Sequence, residues 1–317
     1  MLDSYGRTID YVRLSITGRC NLRCVYCYGT EGPPPVSGMD FGDISRLGRV
    51  MASLGIRKFK ITGGEPTLRP DLPEIVRELK GLPGVDNVTL TTNGILLEKL
   101  AEPLAAAGLD SINVSLDSLD PAKYHYYSGS DVLGQVLKGI EAAYGSRLPS
   151  LKVNCVPQAQ TGQEDLLALA EIAKDRDIHV RFIELMPIGP GAGLDQPITN
   201  EGLRELLESR LGKLTPTDWS FGNGPATYFR VQGFKGLIGF ISAMGSCFCA
   251  SCNRIRVTPD GYLKTCLHMD KGLPLPLKDE EALRETILKA VASKPKSHLF
   301  GQQSGQADTR TMSLIGG

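Results

Sequence analysis

Six short runs rich in β-branched residues alternate with amphipathic helical patterns, and this alternation constrains the fold more than any other feature. The runs predict strands over 10–17, 57–62, 87–92, 110–116, 151–156 and 178–185. Helical patterns lie between them, for example over 72–80, 95–107, 134–144 and 164–175. Strands that alternate with helices form βα units and therefore a parallel sheet. The sequence predicts an α/β fold, an incomplete (βα)6 barrel of the TIM type.

The alternation stops at the Gly/Pro-rich stretch "MPIGPGAG". We therefore predict a partial barrel over 1–190 and a C-terminal α+β extension over 191–317. The extension is predicted to hold a helix near 200–211, hairpin-like strands over 225–268 and a helix near 278–292. Its last residues, "SGQADTRTMSLIGG", are typical of a flexible tail.

Composition argues against several classes of partner. Lysine plus arginine and aspartate plus glutamate number 35 each, so no global charge favours nucleic acid or a membrane surface. No apolar run approaches the roughly 18 residues of a membrane span. The N-terminus has no signal-peptide pattern, which predicts a cytoplasmic protein. Thiols stay reduced there, and clustered cysteines then favour a metal over disulfides.

One face of the predicted strands is polar, although both faces of a helix-covered parallel sheet should be apolar. Because side chains alternate along a strand, the polar face carries Arg13, Lys60, Thr91, Ser115 and Lys152. Cations and hydroxyls without partners are not tolerated in a protein core. We expect them to line a lumen that holds a polar, anionic ligand.

The alternative to a lumen is an open sheet whose polar face is exposed to solvent.

The sequence does not predict which face of the sixth strand points inward, because Arg181 and Glu184 would lie on opposite faces. The run from Lys123 to Tyr127 is expected in a single solvated loop, without a wider basic surface around it.

Three cysteines follow the first strand in "CNLRCVYC", namely Cys20, Cys24 and Cys27. Zinc held by protein alone takes four ligands, whereas a 4Fe–4S cluster with three thiolates keeps one iron open. This spacing, together with "ITGGEP" over 61–66, resembles the radical S-adenosylmethionine (SAM) enzymes. In that family the open iron binds the amino and carboxylate groups of SAM. One electron then cleaves SAM to methionine and a 5′-deoxyadenosyl radical.

A second group of three, Cys249, Cys252 and Cys266, brackets the run "RIR". Over nearly its whole length the chain resembles the GTP 3′,8-cyclase family of molybdenum cofactor biosynthesis. The resemblance implies a second 4Fe–4S cluster whose open iron faces guanine, and a double-glycine end, Gly316 and Gly317, that reaches the active site. Cys247 is an alternative ligand; the family pattern favours the other three.

The resemblance also implies contacts to the two small molecules. Those to GTP fall on Arg13, Lys60, Thr91, Lys152, Arg254, Ile255 and Arg256. Those to SAM fall on Tyr26, Gly64, Ser115 and Met186. Many relatives have arginine at the position of Lys60, and lysine keeps the charge but loses the bidentate fork.

In the implied reaction, the 5′-deoxyadenosyl radical removes hydrogen from C3′ of the ribose, and the C3′ radical attacks C8 of guanine. One electron and a proton then complete 3′,8-cyclo-7,8-dihydroguanosine 5′-triphosphate. A homodimer, a flavodoxin- or ferredoxin-like electron donor and transfer of the product to a cyclic pyranopterin monophosphate synthase are implied as well. Two alternatives remain at this stage. One is a radical SAM enzyme that acts on a peptide, and the other is a non-catalytic iron–sulfur electron carrier.

Overall fold

The computed structural model describes residues 1–28, 38–218, 224–244, 248–269 and 272–298, together with Met312 and Ile315. The strands are β1 Tyr11–Ser15, β2 Lys58–Thr62, β3 Asn87–Thr92, β4 Ser111–Ser115, β5 Leu151–Cys155, β6 Ile178–Ile183, β7 Leu214–Thr217, β8 Thr227–Val231, β9 Ile238–Ile241, β10 Arg254–Val257, β11 Tyr262–Lys264 and β12 Leu273–Pro274. The helices are α1 Phe41–Ser53, α2 Leu72–Gly81, α3 Leu97–Ala106, α4 Pro121–Ser128, α5 Leu133–Gly145, α6 Gln163–Glu171, α7 Asn200–Leu211 and α8 Glu280–Ala292.

The six predicted strands are confirmed as β1 to β6, which pair in chain order and are all parallel. Helices cross over between them, as βα units require. Strands from the C-terminal region then extend both ends of this array. Strand β10 pairs in parallel with β1, and β9 pairs in parallel with β6. The described sheet ends at β12 and β7, so the barrel is incomplete, as predicted.

Helix α4 corrects the expectation of a solvated loop over Lys123–Tyr127. Asp120 begins this helix by accepting a hydrogen bond from the Lys123 backbone N–H, and Gly129 ends it with a φ of 71°. Tyr124 and Tyr127 are only 4% and 2% exposed. The segment is therefore a helix that packs through the rings of Tyr124 and Tyr127, whereas Tyr126 is 50% exposed.

The two faces of the sheet differ, and the alternation that predicted this is confirmed. Val12, Phe59 and Val114 belong to the apolar core that the helices cover. The register places Arg13 beside Lys60 on one side and beside Arg256 on the other. Three cations from three strands therefore share one row of the inner face. No helix in the described part of the chain is long and apolar enough to cross a membrane.

The candidate active site

The polar face of the sheet encloses a cavity of about 320 Å³, within the range of small-molecule sites. Almost all of the predicted site residues line it. They are Arg13, Cys20, Cys24, Tyr26, Cys27, Lys60, Gly64, Thr91, Ser115, Lys152, Met186, Cys249, Cys252, Arg254, Arg256 and Cys266. The two cysteine groups, far apart in sequence, thus face the same space.

Of the other predicted residues, Ile255 is described and is not part of that lining. The side chain of Ile255 is fully buried in the apolar core, so only its main chain can face a ligand. Gly316, Gly317 and Cys247 lie outside the described residues. Met312, close to the end of the chain, does line the cavity.

The loop that carries the first three cysteines is anchored by α4. The Arg23 and Val25 backbone N–H groups donate to the carbonyl oxygens of Ser128 and Tyr127, at 2.9 and 3.0 Å. The Cys27 N–H donates to the Cys24 carbonyl oxygen at 2.9 Å, which turns the chain between these two cysteines. The helix that the sequence pattern failed to indicate therefore positions the cysteine loop.

The glycine motif holds the same loop from the other side. The Gly64 N–H donates to the Thr17 carbonyl oxygen and the Glu65 N–H to that of Arg19, both at 2.7 Å. A Cβ atom on Gly64 would lie 2.3 Å from the Arg19 carbonyl oxygen, closer than any real contact. Glycine is required here because two backbone segments touch.

Glu65 ties this motif to the next strand. Its carboxylate accepts hydrogen bonds from the hydroxyls of Thr67 and Thr92, at 2.5 and 2.6 Å, and from the Asn93 N–H at 2.7 Å. Burial raises the pKa of Glu65, and these hydrogen bonds act in the opposite direction. The ends of β2 and β3 and the cysteine loop are thereby held together around one edge of the cavity.

The cysteines suit iron–sulfur clusters better than a single metal ion. None of the seven cysteines among the described residues forms a disulfide. Within the same residues, no three His, Cys, Asp or Glu side chains are arranged to hold one ion. A polynuclear cluster takes one thiolate per iron and therefore needs thiolates spread around its faces. Cys24 and Cys27 are near enough to interact electrostatically, and burial followed by this repulsion raises the pKa of Cys24.

The rest of the cavity is strongly cationic. Its described lining includes seven lysine and arginine side chains but two carboxylates, those of Glu65 and Asp117. Burial, followed by repulsion from Arg181 and Arg13, lowers the pKa of Lys60 far below its usual value. Burial and the nearby Arg181 lower the pKa of Lys152 to about 7. This excess of positive charge fits a polyanion.

Arg181 lines the cavity, although the alternation along the sequence did not predict which face of the sheet it occupies. Its partner in the register is Asn154 on β5, and its Nε donates to Asn154 Oδ1 at 2.9 Å. Glu184 lies beyond the end of β6 and accepts a hydrogen bond from the Met244 N–H. The alternation of His179, Arg181 and Ile183 was the signal that could have placed Arg181 on the inner face.

Sequence comparisons agree with this geometry. The family model of the Radical SAM superfamily matches residues 14–197, and that of Molybdenum Cofactor Synthesis C matches residues 178–300. The GTP 3′,8-cyclase of Clostridium perfringens (strain 13 / Type A) is 39% identical over 325 residues, with 100% of each chain covered. That of Pelotomaculum thermopropionicum is 40% identical over 332 residues, again with 100% of each chain covered.

Solved structures support the fold. Streptococcus suis SuiB bound to S-adenosylmethionine has a TM-score of 0.63 and 15% identity, covering 97% of this chain and 77% of that one. SuiB bound to its precursor peptide SuiA has a TM-score of 0.64 and 14% identity, covering 97% and 76%. The fold, the three-cysteine loop and the family model define a radical SAM protein. Within that superfamily, the chain belongs to the GTP 3′,8-cyclase family.

Proposed function

We propose that this protein converts GTP to 3′,8-cyclo-7,8-dihydroguanosine 5′-triphosphate, the first step of molybdenum cofactor biosynthesis. One observation carries the proposal: both cysteine groups and seven cationic side chains line the same cavity. A SAM-dependent enzyme acting on a neutral substrate has no need of so much buried positive charge, which is costly to desolvate. Full-length identity of about 39% to GTP 3′,8-cyclases supports the same reaction.

The two cysteine groups are proposed to hold two 4Fe–4S clusters. Cys20, Cys24 and Cys27 hold the first, and Cys249, Cys252 and Cys266 hold the second. When bound, the first would supply the electron that cleaves SAM to a 5′-deoxyadenosyl radical, and the second would bind guanine. Cys155 takes no part, since its side chain is fully buried in the core. Cys247 is proposed as a neighbouring thiol that is not a ligand.

The cations are proposed to bind the triphosphate. Arg13, Lys60 and Arg256 form one row across three neighbouring strands. Lys152 and Arg181 stand on β5 and β6, on another part of the same curved face. Positive charges on several sides of the cavity can neutralise a triphosphate and hold it in one place. Lys60 binds as a point charge, because it lacks the fork of an arginine.

The remaining contacts are proposed from the family resemblance, and all of these residues except Ile255 line the cavity. Arg254 and Thr91 are proposed to hold the nucleoside, and Ile255 would act through its main chain. Tyr26, Gly64, Ser115 and Met186 are proposed to bind SAM. Gly64 belongs to the glycine motif beside the cysteine loop, which suits the binding of a molecule that the first cluster also holds. Fixing SAM and GTP in register is the main catalytic task, since C3′ must meet the radical and then C8.

Several further features of the family are proposals for this chain. Gly316 and Gly317 are proposed to enter the site, and Met312 at the cavity wall is consistent with such a path. We also propose a homodimer in the cytoplasm, a flavodoxin- or ferredoxin-like electron donor, and transfer of product to a cyclic pyranopterin monophosphate synthase.

Anaerobic incubation of the reconstituted protein with GTP, SAM and dithionite tests the reaction directly. We expect mass analysis to show the cyclic nucleotide, which is an isomer of GTP, and one equivalent of 5′-deoxyadenosine per product. An electron carrier would form no 5′-deoxyadenosine. A peptide-acting enzyme would cleave SAM and leave GTP unchanged, and either result would contradict the proposal.

A further inference from the structure

The second cysteine group lies on two separate chain segments, and both are fastened to residues that follow α8. Cys249 begins a short 3-10 turn and Cys252 ends it, just before β10. Cys266 comes two residues after the end of β11. The turn and the end of β11 need a common support if three thiolates are to face one cluster.

Lys294 supplies the first part of this support. Its side chain is 3% exposed, and its Nζ atom donates hydrogen bonds to the carbonyl oxygens of Arg254 at 2.9 Å and Thr265 at 2.5 Å. Arg254 is two residues from Cys252, and Thr265 immediately precedes Cys266. One ammonium group therefore joins the two segments that carry these cysteines.

Arg7 supplies the second part. Its Nη1 donates to the carbonyl oxygens of Cys249 at 2.8 Å and Lys296 at 2.9 Å, and its Nη2 donates to that of Pro295 at 2.6 Å. Asp3 holds the guanidinium through an Nε–Oδ2 contact of 2.6 Å. The two segments that carry the three cysteines are thus connected through hydrogen bonds to residues 294–296.

A neutral hydrogen-bond donor could also join the two segments, so the positive charge of Lys294 calls for its own explanation. An ammonium group has three donors, and two of them serve the carbonyl oxygens. Lys294 also lies close enough to Cys252 and Cys266 to interact electrostatically with both sulfurs. No carboxylate forms a salt bridge with it among residues that the structure describes. The buried ammonium group therefore lies beside the sulfur atoms of Cys252 and Cys266, the second and third ligands of the group.

We propose that Lys294 is a positioning residue for the second cluster, which aligns its thiolates and raises its reduction potential. A reduced cluster carries one more negative charge than the oxidised one, so a fixed cation beside its thiolates stabilises the reduced form. Hydrogen bonds and charge next to the ligands are the usual means by which a protein adjusts such a potential. This inference rests on the second cluster of the proposed function.

The test compares variants in a Cys20/Cys24/Cys27 triple alanine background, which keeps only the second group of ligands. Potentiometric titration followed by electron paramagnetic resonance gives the potential, and iron analysis gives the occupancy. We expect Lys294→Met to retain iron while its one-electron reduction constant falls about tenfold, a negative shift of about 59 mV. Lys294→Arg should restore most of the shift. Lys296→Met removes an exposed cation two residues away and should leave the potential unchanged.

The other outcomes distinguish the existence of the second cluster from the role of Lys294. A background protein without iron would overturn the second cluster and this inference with it. An unchanged potential in an iron-containing Lys294→Met variant would overturn the role of Lys294 alone. If Lys294→Met holds no cluster, the arginine variant decides: retained iron supports the role of the charge, and lost iron refutes it.

Discussion

The Nζ atom of Lys152 on β5 donates a hydrogen bond to the Ser111 hydroxyl oxygen on β4, 2.9 Å away. A second bond, of 2.7 Å, goes to the Ser150 hydroxyl. No carboxylate forms a salt bridge with this ammonium within the described chain, and its side chain is 2% exposed. Hydroxyls stabilise a buried cation less than a carboxylate does, so an anionic ligand would stabilise the charged form of Lys152 further.

The first prediction is that GTP binding takes up a proton at Lys152. The pKa of Lys152 in the free protein is lowered to about 7, by burial and by Arg181, and a nearby phosphate raises it again. At pH 7 about half of the free protein carries this charge, whereas the complex carries it fully, so binding takes up about half a proton. Affinity should therefore fall as the pH rises from 7 to 9.

Calorimetry in buffers of different ionisation enthalpy measures that proton. The matched control is Lys152→Arg, which keeps its charge over this range. The difference in proton uptake between the two proteins isolates Lys152 from the phosphate groups of GTP itself. Equal proton uptake in both proteins would contradict the prediction.

The second prediction concerns the cations of the cavity. Arg13→Ala, Lys152→Ala and Arg256→Ala should each lose about 1.5–3 kcal/mol of binding free energy, because each removes a charge-assisted contact to phosphate. GTP affinity should then fall roughly ten- to a hundred-fold, and SAM affinity should change far less. Arg57→Ala is the control, since Arg57 pairs with Asp86 at the surface. Equal losses for both ligands would mean that these cations support the fold.

The third prediction is that SAM cleavage requires Cys24 of the cysteine loop and does not require Cys155 of the core. Cys24→Ala should abolish 5′-deoxyadenosine formation with or without GTP, because no radical forms without the first cluster. Cys155→Ala removes a thiol that is buried in the core and should preserve the reaction. Chromatography of the nucleoside products measures both variants. Persistent SAM cleavage by Cys24→Ala would contradict the cluster assignment.

The fourth prediction concerns Gly64. A Cβ atom there would meet the Arg19 carbonyl oxygen at 2.3 Å, so Gly64→Ala must displace the cysteine loop. Overpacking of this kind costs about 1–3 kcal/mol. Iron bound by the first group, measured in a Cys249/Cys252/Cys266 triple alanine background, should fall together with SAM affinity. Gly81→Ala is the control, because its Cβ would meet no atom within 4 Å. Full iron occupancy in Gly64→Ala would show that the loop tolerates the methyl group.

The fifth prediction concerns the end of the chain. Glycines can enter a crowded site because they have no Cβ, and Met312 already lies at the cavity wall. Deleting Gly316 and Gly317 should preserve iron content and GTP affinity while product formation collapses. Mass analysis of the nucleotide and equilibrium binding give the two readouts. Full activity of the shortened protein would show that the two glycines are dispensable.

Local patterns in the sequence were sufficient for strands β1 to β6 and for the face on which their polar side chains lie. The alternation of side chains along a strand is a property of the extended backbone, so it placed Arg13, Lys60 and Lys152 on one face without any tertiary information. The cysteine spacings are equally local. Helix α4 was missed because its polar and apolar residues show little periodicity, and its cap at Asp120 and packing of Tyr124 decide its structure.

Relationships between distant segments were decided only by the tertiary structure. Strand β10 pairs with β1, and this pairing brings Arg256 beside Arg13 and helps to bring the second cysteine group to the same cavity as the first. The orientation of Arg181 depends on its register with Asn154, and the lowered pKa of Lys152 depends on burial. Lys294 has no sequence motif at all. Its importance comes from carbonyl oxygens that the chain brings to it, because hydrogen bonding and desolvation depend on neighbours in space.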